Sequence, residues 1–202
     1  MSQSESAERI RRAATLLFVE RGYRPTTLQN VADEAGVAKG LVAFHFGGKR
    51  QLLGAVLESY YEAQRAALSA ASGPSDPPRE RLLRLLAAYF DFACKHPRFP
   101  RLVQMVSEED DETRALVQAR IGAMYRHVEA LLLEGAPKTG ALSARQCYIS
   151  FSGLVVNYFA YAELLEPAFG RQPFSKARLA ERRAHVLRVA ELIYEELERT
   201  SV

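Results

Sequence analysis

Glycines at positions 22, 36 and 47–48 divide the first fifty residues of this 202-residue chain into three short stretches, and that spacing restricts the fold more than any other feature. Glycine reaches left-handed backbone without a steric penalty, so it closes a helix and turns the chain sharply. Ile10, Ala14, Leu17 and Phe18 recur at helical spacing over about 6–21, with Gly22 as the stop. After the break at Arg24-Pro25, Thr26 or Thr27 can cap a second helix, with Gln29 or Asn30 three residues on in capping-box spacing. Its apolar face is Leu28, Val31, Ala32 and Ala35, and Gly36 ends it after about two turns. A third short helix is expected from Lys39 to Phe46, with Val42 and Phe46 facing inward and Gly47-Gly48 stopping it.

Three short helices with a Gly-centred turn between the second and third make a helix-turn-helix. A helix fits the major groove of DNA, and a second helix crossing it must hold it there. Leu28–Ala35 is the expected brace and Lys39–Phe46 the expected reader. Charge supports that placement. Residues 1–50 carry eight Lys/Arg against five Asp/Glu, whereas the remaining residues hold nineteen of each sign. The whole positive excess of +3 therefore sits in the first quarter of the chain, as in a nucleic-acid-facing module attached to a neutral body.

Behind the module, helical periodicity continues and no stretch alternates with period two. The expected fold is all-α, with about nine helices in total. A helix-turn-helix domain over 1–50 is linked by a long helix over 49–71 to a helical dimerisation and effector-binding domain over 51–202. Further helices are expected at 78–96, 99–108, 112–134, 143–165 and 175–200. Loops are expected at 72–78 (SGPSDPP), 135–142 (GAPKTGAL) and 166–174 (EPAFGRQPF). The most apolar stretch, 148–162, contains Ser150, Ser152 and Asn157 and falls short of the ~20 residues of a membrane span. The N-terminus shows no apolar run of signal-peptide type, so a cytoplasmic location is expected.

Nothing in the sequence points to catalysis. It contains no Gly-rich phosphate loop, no His-Glu-x-x-His zinc pattern and no Gly-x-Ser-x-Gly turn. His45, His96, His127 and His185 are scattered, and Cys94 and Cys147 are far apart. No enzyme, cofactor or metal is expected. The acidic run 108–112 is read as helix-start acids that favour the positive end of a helix dipole.

A cluster of features over about 6–65 resembles the N-terminal domain of tetracycline-repressor-type (TetR-family) regulators. They are Gly22-Tyr23, Thr26-Thr27, the run VADEAGVAKG at 31–40, His45-Phe46, Lys49 and Leu52-Leu53. The resemblance implies a homodimer that binds a palindromic operator in double-stranded DNA as a repressor and is released by a small-molecule effector. The alternative with the same fold is an effector-independent DNA-binding or scaffolding protein. DNA contacts are implied at Thr27 and Gln29 on the brace, at Lys39 and Gly40 at the start of the reader, and at Phe44, His45 and Lys49. Two positions depart from the family pattern. Ala38 stands where a Ser or Thr is usual, and Ala43 where an aromatic, most often Tyr, is usual. Both remove a hydroxyl, which shifts the expected contacts towards Leu41 and Ala43 against thymine methyl groups.

In the body, the helix at 143–165 is apolar nearly all round, so more than one of its faces must be covered. Tyr148, Phe151, Val155, Tyr158 and Ala162 form a near-heptad row, and Val186, Ala190, Ile193 and Leu197 form another in the final helix. Together they are the expected dimer interface, in a four-helix arrangement; the alternative is packing inside one chain. Tyr89, Phe92, Phe99, Met105, Met124, Tyr125, Phe151, Tyr158 and Tyr161 are candidates to line an effector pocket, with Asn157 or His127 as its polar handle. Aromatic and methionine residues at helical spacing equally suit a plain core.

Overall fold

The computed structural model describes residues 3–73, 75–132, 138–170 and 172–200, and all regular structure among them is helical. The helices are α1 (Gln3–Arg21), α2 (Leu28–Ala35), α3 (Lys39–Phe46), α4 (Lys49–Ala71), α5 (Pro78–Lys95), α6 (Phe99–Ser107), α7 (Asp111–Leu132), α8 (Ala144–Tyr161), α9 (Glu166–Phe169) and α10 (Lys176–Thr200). Helix bounds agree with the sequence expectation to within a few residues. The difference is α9, a single turn where the sequence suggests a loop. The expected end of α7 at Glu134, and the first residues of the loop at 135–142, lie outside the described residues.

The chain divides into two units. One comprises Met1–Glu62 with Arg101–Ile121, the other Ala63–Pro100 with Gly122–Val202. In the first, α1 packs on α2 and α3, and α2 on α3. Ile10, Ala14, Leu17 and Phe18 of α1 are buried with Val31 and Ala32 of α2 and Val42 of α3. Leu52, Leu53, Val56 and Leu57 of α4, also buried, extend the apolar interior of this unit. Neither α2 nor α3 is long enough to be stable alone, so this shared core fixes them.

The second unit is built on α5, α8 and α10, each packed on the other two. Its core joins Leu86, Phe90 and Ala93 of α5 to Phe151, Val155, Tyr158 and Phe159 of α8 and to Val186 and Ala190 of α10. The Phe90 and Phe159 rings lie 5.6 Å apart, and Phe159 stacks on Phe174 at 5.7 Å. The Tyr158 hydroxyl donates to the Pro173 carbonyl at 2.5 Å, which satisfies a buried polar group.

This core revises the expected dimer face. Val155, Val186 and Ala190 have no exposed surface, and Phe151, Tyr158 and Ala162 are nearly as deep. The near-heptad row of α8 is therefore covered by α5 and α10 of its own chain. Tyr148, Ile193 and Leu197 are half-buried. What α8 leaves less covered is a second row in which Ile149 is exposed and Gly153, Val156 and Ala160 are half-buried, continued by exposed Leu164 in the following turn. Ile149, Leu164 and, on α10, Leu192 are large exposed apolar side chains.

Candidate nucleic-acid interface

The brace–reader pair is held by three local devices. Thr27 caps α2. Its hydroxyl oxygen accepts from the Asn30 N–H at 3.1 Å, while its own N–H donates to Asn30 Oδ1 at 2.9 Å. Asn30 thus supplies the reciprocal half of a capping box. Thr26 is buried instead and donates to the Gly22 carbonyl at 2.8 Å, which ties the end of α1 to the start of α2.

Gly36 is left-handed (φ 62°, ψ 44°). Its N–H donates to the Asp33 carbonyl, and the Val37 N–H reaches back to Ala32 at 3.0 Å, as in a Schellman turn. The third device is Arg9 of α1, whose guanidinium donates to the Ala35 carbonyl. A Cβ on Gly36 would stand 2.9 Å from Arg9 Nη2. The positive φ demands glycine here, and any larger side chain would also have to push the flexible end of Arg9 aside.

The reader α3 starts differently. Ala38 occupies its N-cap in extended conformation without a side-chain cap, so no side chain satisfies the first N–H groups of the helix, of which Leu41 donates to the Ala38 carbonyl at 2.9 Å. At 100° per residue, Lys39, Ala43, Gly40 and Phe44 share one arc of α3. All four are exposed, Phe44 by 68%. Leu41, Val42, His45 and Phe46 share the opposite arc and are half-buried or buried. Leu41 therefore faces away from the side that Ala43 presents, and Phe44 takes its place as the large outward apolar group. His45 is half-buried, and its Nε2 is enclosed with no partner among the described residues.

Electrostatics sorts the basic residues of this unit. Arg11 pairs with Glu8 and donates to Ser59. Arg24 bridges to Glu109 at 3.1 Å, and Arg50 pairs with Glu112 and, at 3.6 Å, with Asp110. The acidic corner at the start of α7 thus engages two cations of the module. Asp110 also caps α7 by accepting from the Thr113 N–H at 2.7 Å, and bonds from Thr113 hold its carboxyl below the usual range. Lys49 donates to the Arg24 carbonyl at 3.0 Å, and its ammonium sits 4.3 Å from the Tyr23 ring centroid. Partial burial pulls Lys49 below the ordinary lysine range, against the opposing pull of Glu109. Lys39, like exposed Arg21 at the end of α1, makes no hydrogen bond or ion pair among the described residues. It stands beside the open start of α3, where the helix dipole and free N–H groups favour an anion. On the brace, Gln29 is exposed and donates to Asp33 at 2.7 Å, and Thr27 is exposed.

All the pocket candidates except Met105 belong to the second unit. Phe92, Phe99, Met124, Phe151 and Tyr158 are buried in the second unit, and Tyr89 is packed against its core. Tyr125 donates to Glu129 and meets the Tyr148 ring edge-on at 5.1 Å, while a ring nitrogen of His127 lies 3.1 Å from Ser69 Oγ. Asn157 and Tyr161 are exposed. Met105 belongs to the first unit and is exposed, its methyl 3.4 Å from where a Cβ on Gly22 would stand. Sequence reasoning also missed Gln64, a buried carboxamide on α4 whose oxygen has no partner among the described residues. One polar side chain on an otherwise apolar helix face carries too little signal to single it out. Among the described residues no three or more His, Cys, Asp or Glu are grouped to hold a metal, and no helix is long and apolar enough to cross a membrane.

A capped brace, a left-handed glycine turn and an outward reader with an open, cationic start define a helix-turn-helix DNA-binding module. A family model described as "Bacterial regulatory proteins, tetR family" matches residues 10–56, and "Tetracyclin repressor-like, C-terminal domain" matches 78–189. The chain belongs to the TetR family of DNA-binding transcriptional regulators. It is 28% identical over 143 residues to the HTH-type transcriptional activator FasR of Mycolicibacterium smegmatis, covering 71% of this chain and 64% of FasR. It is 31% identical over 139 residues to the HTH-type transcriptional repressor Rv3405c of Mycobacterium tuberculosis, covering 65% of this chain and 71% of that one. The fold is shared with a TetR-family regulator from Rhodococcus sp. (TM-score 0.74, 19% identity, 94% and 98% of the two chains covered). It is equally shared with FadR of Bacillus subtilis, solved with stearoyl-CoA (TM-score 0.74, 16% identity, 91% and 96% covered).

The two glycines of the pair make opposite predictions. Gly36→Ala forces an L-residue into left-handed backbone and displaces Arg9, and is expected to destabilise the chain by about 1–2 kcal/mol. Gly40→Ala meets nothing within 4 Å and is expected to stabilise the helix by roughly 0.5–1 kcal/mol. Urea unfolding midpoints of the two variants check both.

Proposed function

We propose that the chain is a homodimeric repressor that sets α3 of each subunit into successive major grooves of a palindromic operator, about 34–36 Å apart. The observation that carries this reading is Lys39. It is a cation with no partner among the described residues, at the uncapped start of an outward helix. Phosphate contact there adds roughly 0.9 to the slope of log affinity against log salt. Lys39→Ala is therefore expected to flatten the slope by about 2 for a dimer, measured by fluorescence anisotropy on duplexes selected by the protein. An unchanged slope speaks against the placement of α3 at the backbone.

Dimerisation is assigned to the outward row of α8, with Ile149 and Leu164, together with Leu192 of α10. Gly153 and Ala160 in that row let a second helix approach closely. Leu164 is 75% exposed, so Leu164→Glu leaves the fold of the single chain intact. The expected result is a monomer by light scattering, an unchanged far-UV circular dichroism spectrum, and loss of operator affinity.

For the effector we propose an apolar small molecule held in the second unit. The support is the aromatic and aliphatic interior of that unit and the likeness in fold to FadR with stearoyl-CoA. Stearoyl-CoA is the first ligand to test. It is expected to raise the melting temperature of the protein and to release labelled operator. If neither happens, with it or with shorter acyl-CoA thioesters, the acyl-CoA class is ruled out.

A further inference from the structure

On the reading that α3 enters the major groove, its outward arc sets what kind of base edge it can recognise. Each base pair offers a distinct pattern there. Guanine is read by Arg or Lys, adenine by Asn or Gln, cytosine by Asp or Glu, and thymine by apolar contact with its C5-methyl group. The exposed arc of α3 is Lys39, Gly40, Ala43 and Phe44. It holds no carboxamide and no carboxylate, so it has no group to read adenine or cytosine by hydrogen bonding. Its one hydrogen-bonding side chain is Lys39, at the end of the helix where a phosphate binds. Its other two side chains are the methyl of Ala43 and the phenyl of Phe44.

Phe44 is the informative residue. A phenylalanine 68% exposed on a short helix forfeits the stabilisation that burial of its ring supplies. Within the protein its ring meets the edge of the adjacent His45 imidazole, with centroids 5.3 Å apart. His45 belongs to the inner arc, so this contact leaves the outer side of the phenyl ring open. Ala43, one position back on the same arc, is short enough to let a base-pair edge approach. Gly40, one turn before Phe44, has nothing within 4 Å of where a Cβ would stand. The arc is thus a shallow apolar shelf with Phe44 at its rim.

We propose that this regulator reads its operator chiefly through the C5-methyl groups of thymine, with Phe44 and Ala43 as the specificity-determining residues and Lys39 as a positioning contact. Each half-site then carries at least one thymine whose methyl group, rather than its hydrogen-bonding edge, is recognised. Burial of one methyl is worth about fourfold in affinity, and the pair in a palindrome about fifteenfold.

Deoxyuridine isolates that group, because it keeps thymine's base pairing, its O4 acceptor and the phosphate backbone while lacking only the methyl. The experiment takes duplexes selected from random sequence by the full-length protein and replaces each half-site thymine singly with deoxyuridine. Affinities are measured for the wild type and Phe44→Ala, an exposed position where truncation leaves the core untouched. The expected result is a loss of about fourfold at one or two thymines per half-site for the wild type. That loss shrinks towards unity at one of those positions in Phe44→Ala. Wild-type affinity that ignores deoxyuridine at every position overturns the proposal while leaving operator binding intact. So does full discrimination retained by Phe44→Ala at every thymine, or selected half-sites without thymine. Failure to select any sequence removes the DNA-reading function itself and the proposal with it.

Discussion

The left-handed turn at Gly36 is the constraint on which the DNA-binding surface depends. Neither α2 nor α3 exceeds eight residues, so neither is stable unless the angle between them lets both bury their apolar faces on α1. A positive φ at one residue supplies that angle. Arg9 then satisfies the Ala35 carbonyl that the helix end leaves open. The same guanidinium occupies the space a Cβ would need. The module is thereby fixed from both sides, by the backbone of the turn and by a cation reaching over from the neighbouring helix.

That use of Arg9 recurs among the module's other cations. The sequence places its positive excess in the first fifty residues, yet Arg9 serves a helix end, Arg11 pairs with Glu8, and Arg24 and Arg50 pair with the acidic corner at the start of α7. Exposed pairs of this kind each contribute only ~0–1 kcal/mol. Their effect is to orient side chains. Much of the charge that reads as a nucleic-acid footprint in the sequence is absorbed in holding the module together, and among the described residues Arg21 and Lys39 are the cations of the first fifty residues left without a hydrogen bond or ion pair. A surface with few free cations gains less from backbone contact, so base-edge contacts carry a larger share of its selectivity.

The sequence made the local devices legible and the long-range ones not. Gly22, Gly36 and Gly47 act at the residue where they stand, and the capping box spans only Thr27 to Asn30, so pattern alone places α1 to α4 closely. The choice between Thr26 and Thr27 stayed open until the structure showed Thr26 buried on the Gly22 carbonyl. Arg24 with Glu109 and Arg50 with Glu112 join residues 85 and 62 positions apart. No periodicity reports such a pairing, and the acidic run accordingly read as helix-start acids alone. That reading holds for Asp110, which caps α7, but it accounts for only part of the run.

Helix α8 shows where periodicity fails in principle. A helix apolar on nearly every side has two rows that satisfy the same spacing rule, and the pattern does not say which row faces its own chain. Tyr148, Phe151, Val155, Tyr158 and Ala162 carry the bulkier, more continuous series, which drew the dimer assignment. Bulk is what an interior between α5 and α10 requires, and Val155 and Phe151 are buried there. The outward row is thinner, interrupted by Gly153 and Ala160, and ends at Leu164. Small residues between larger ones suit two helices that meet closely at a symmetry axis better than they suit a thick core. On the proposed dimer, the residues that join two chains lie on the face of α8 opposite to the one that stabilises the subunit, so association and subunit stability respond to substitution independently.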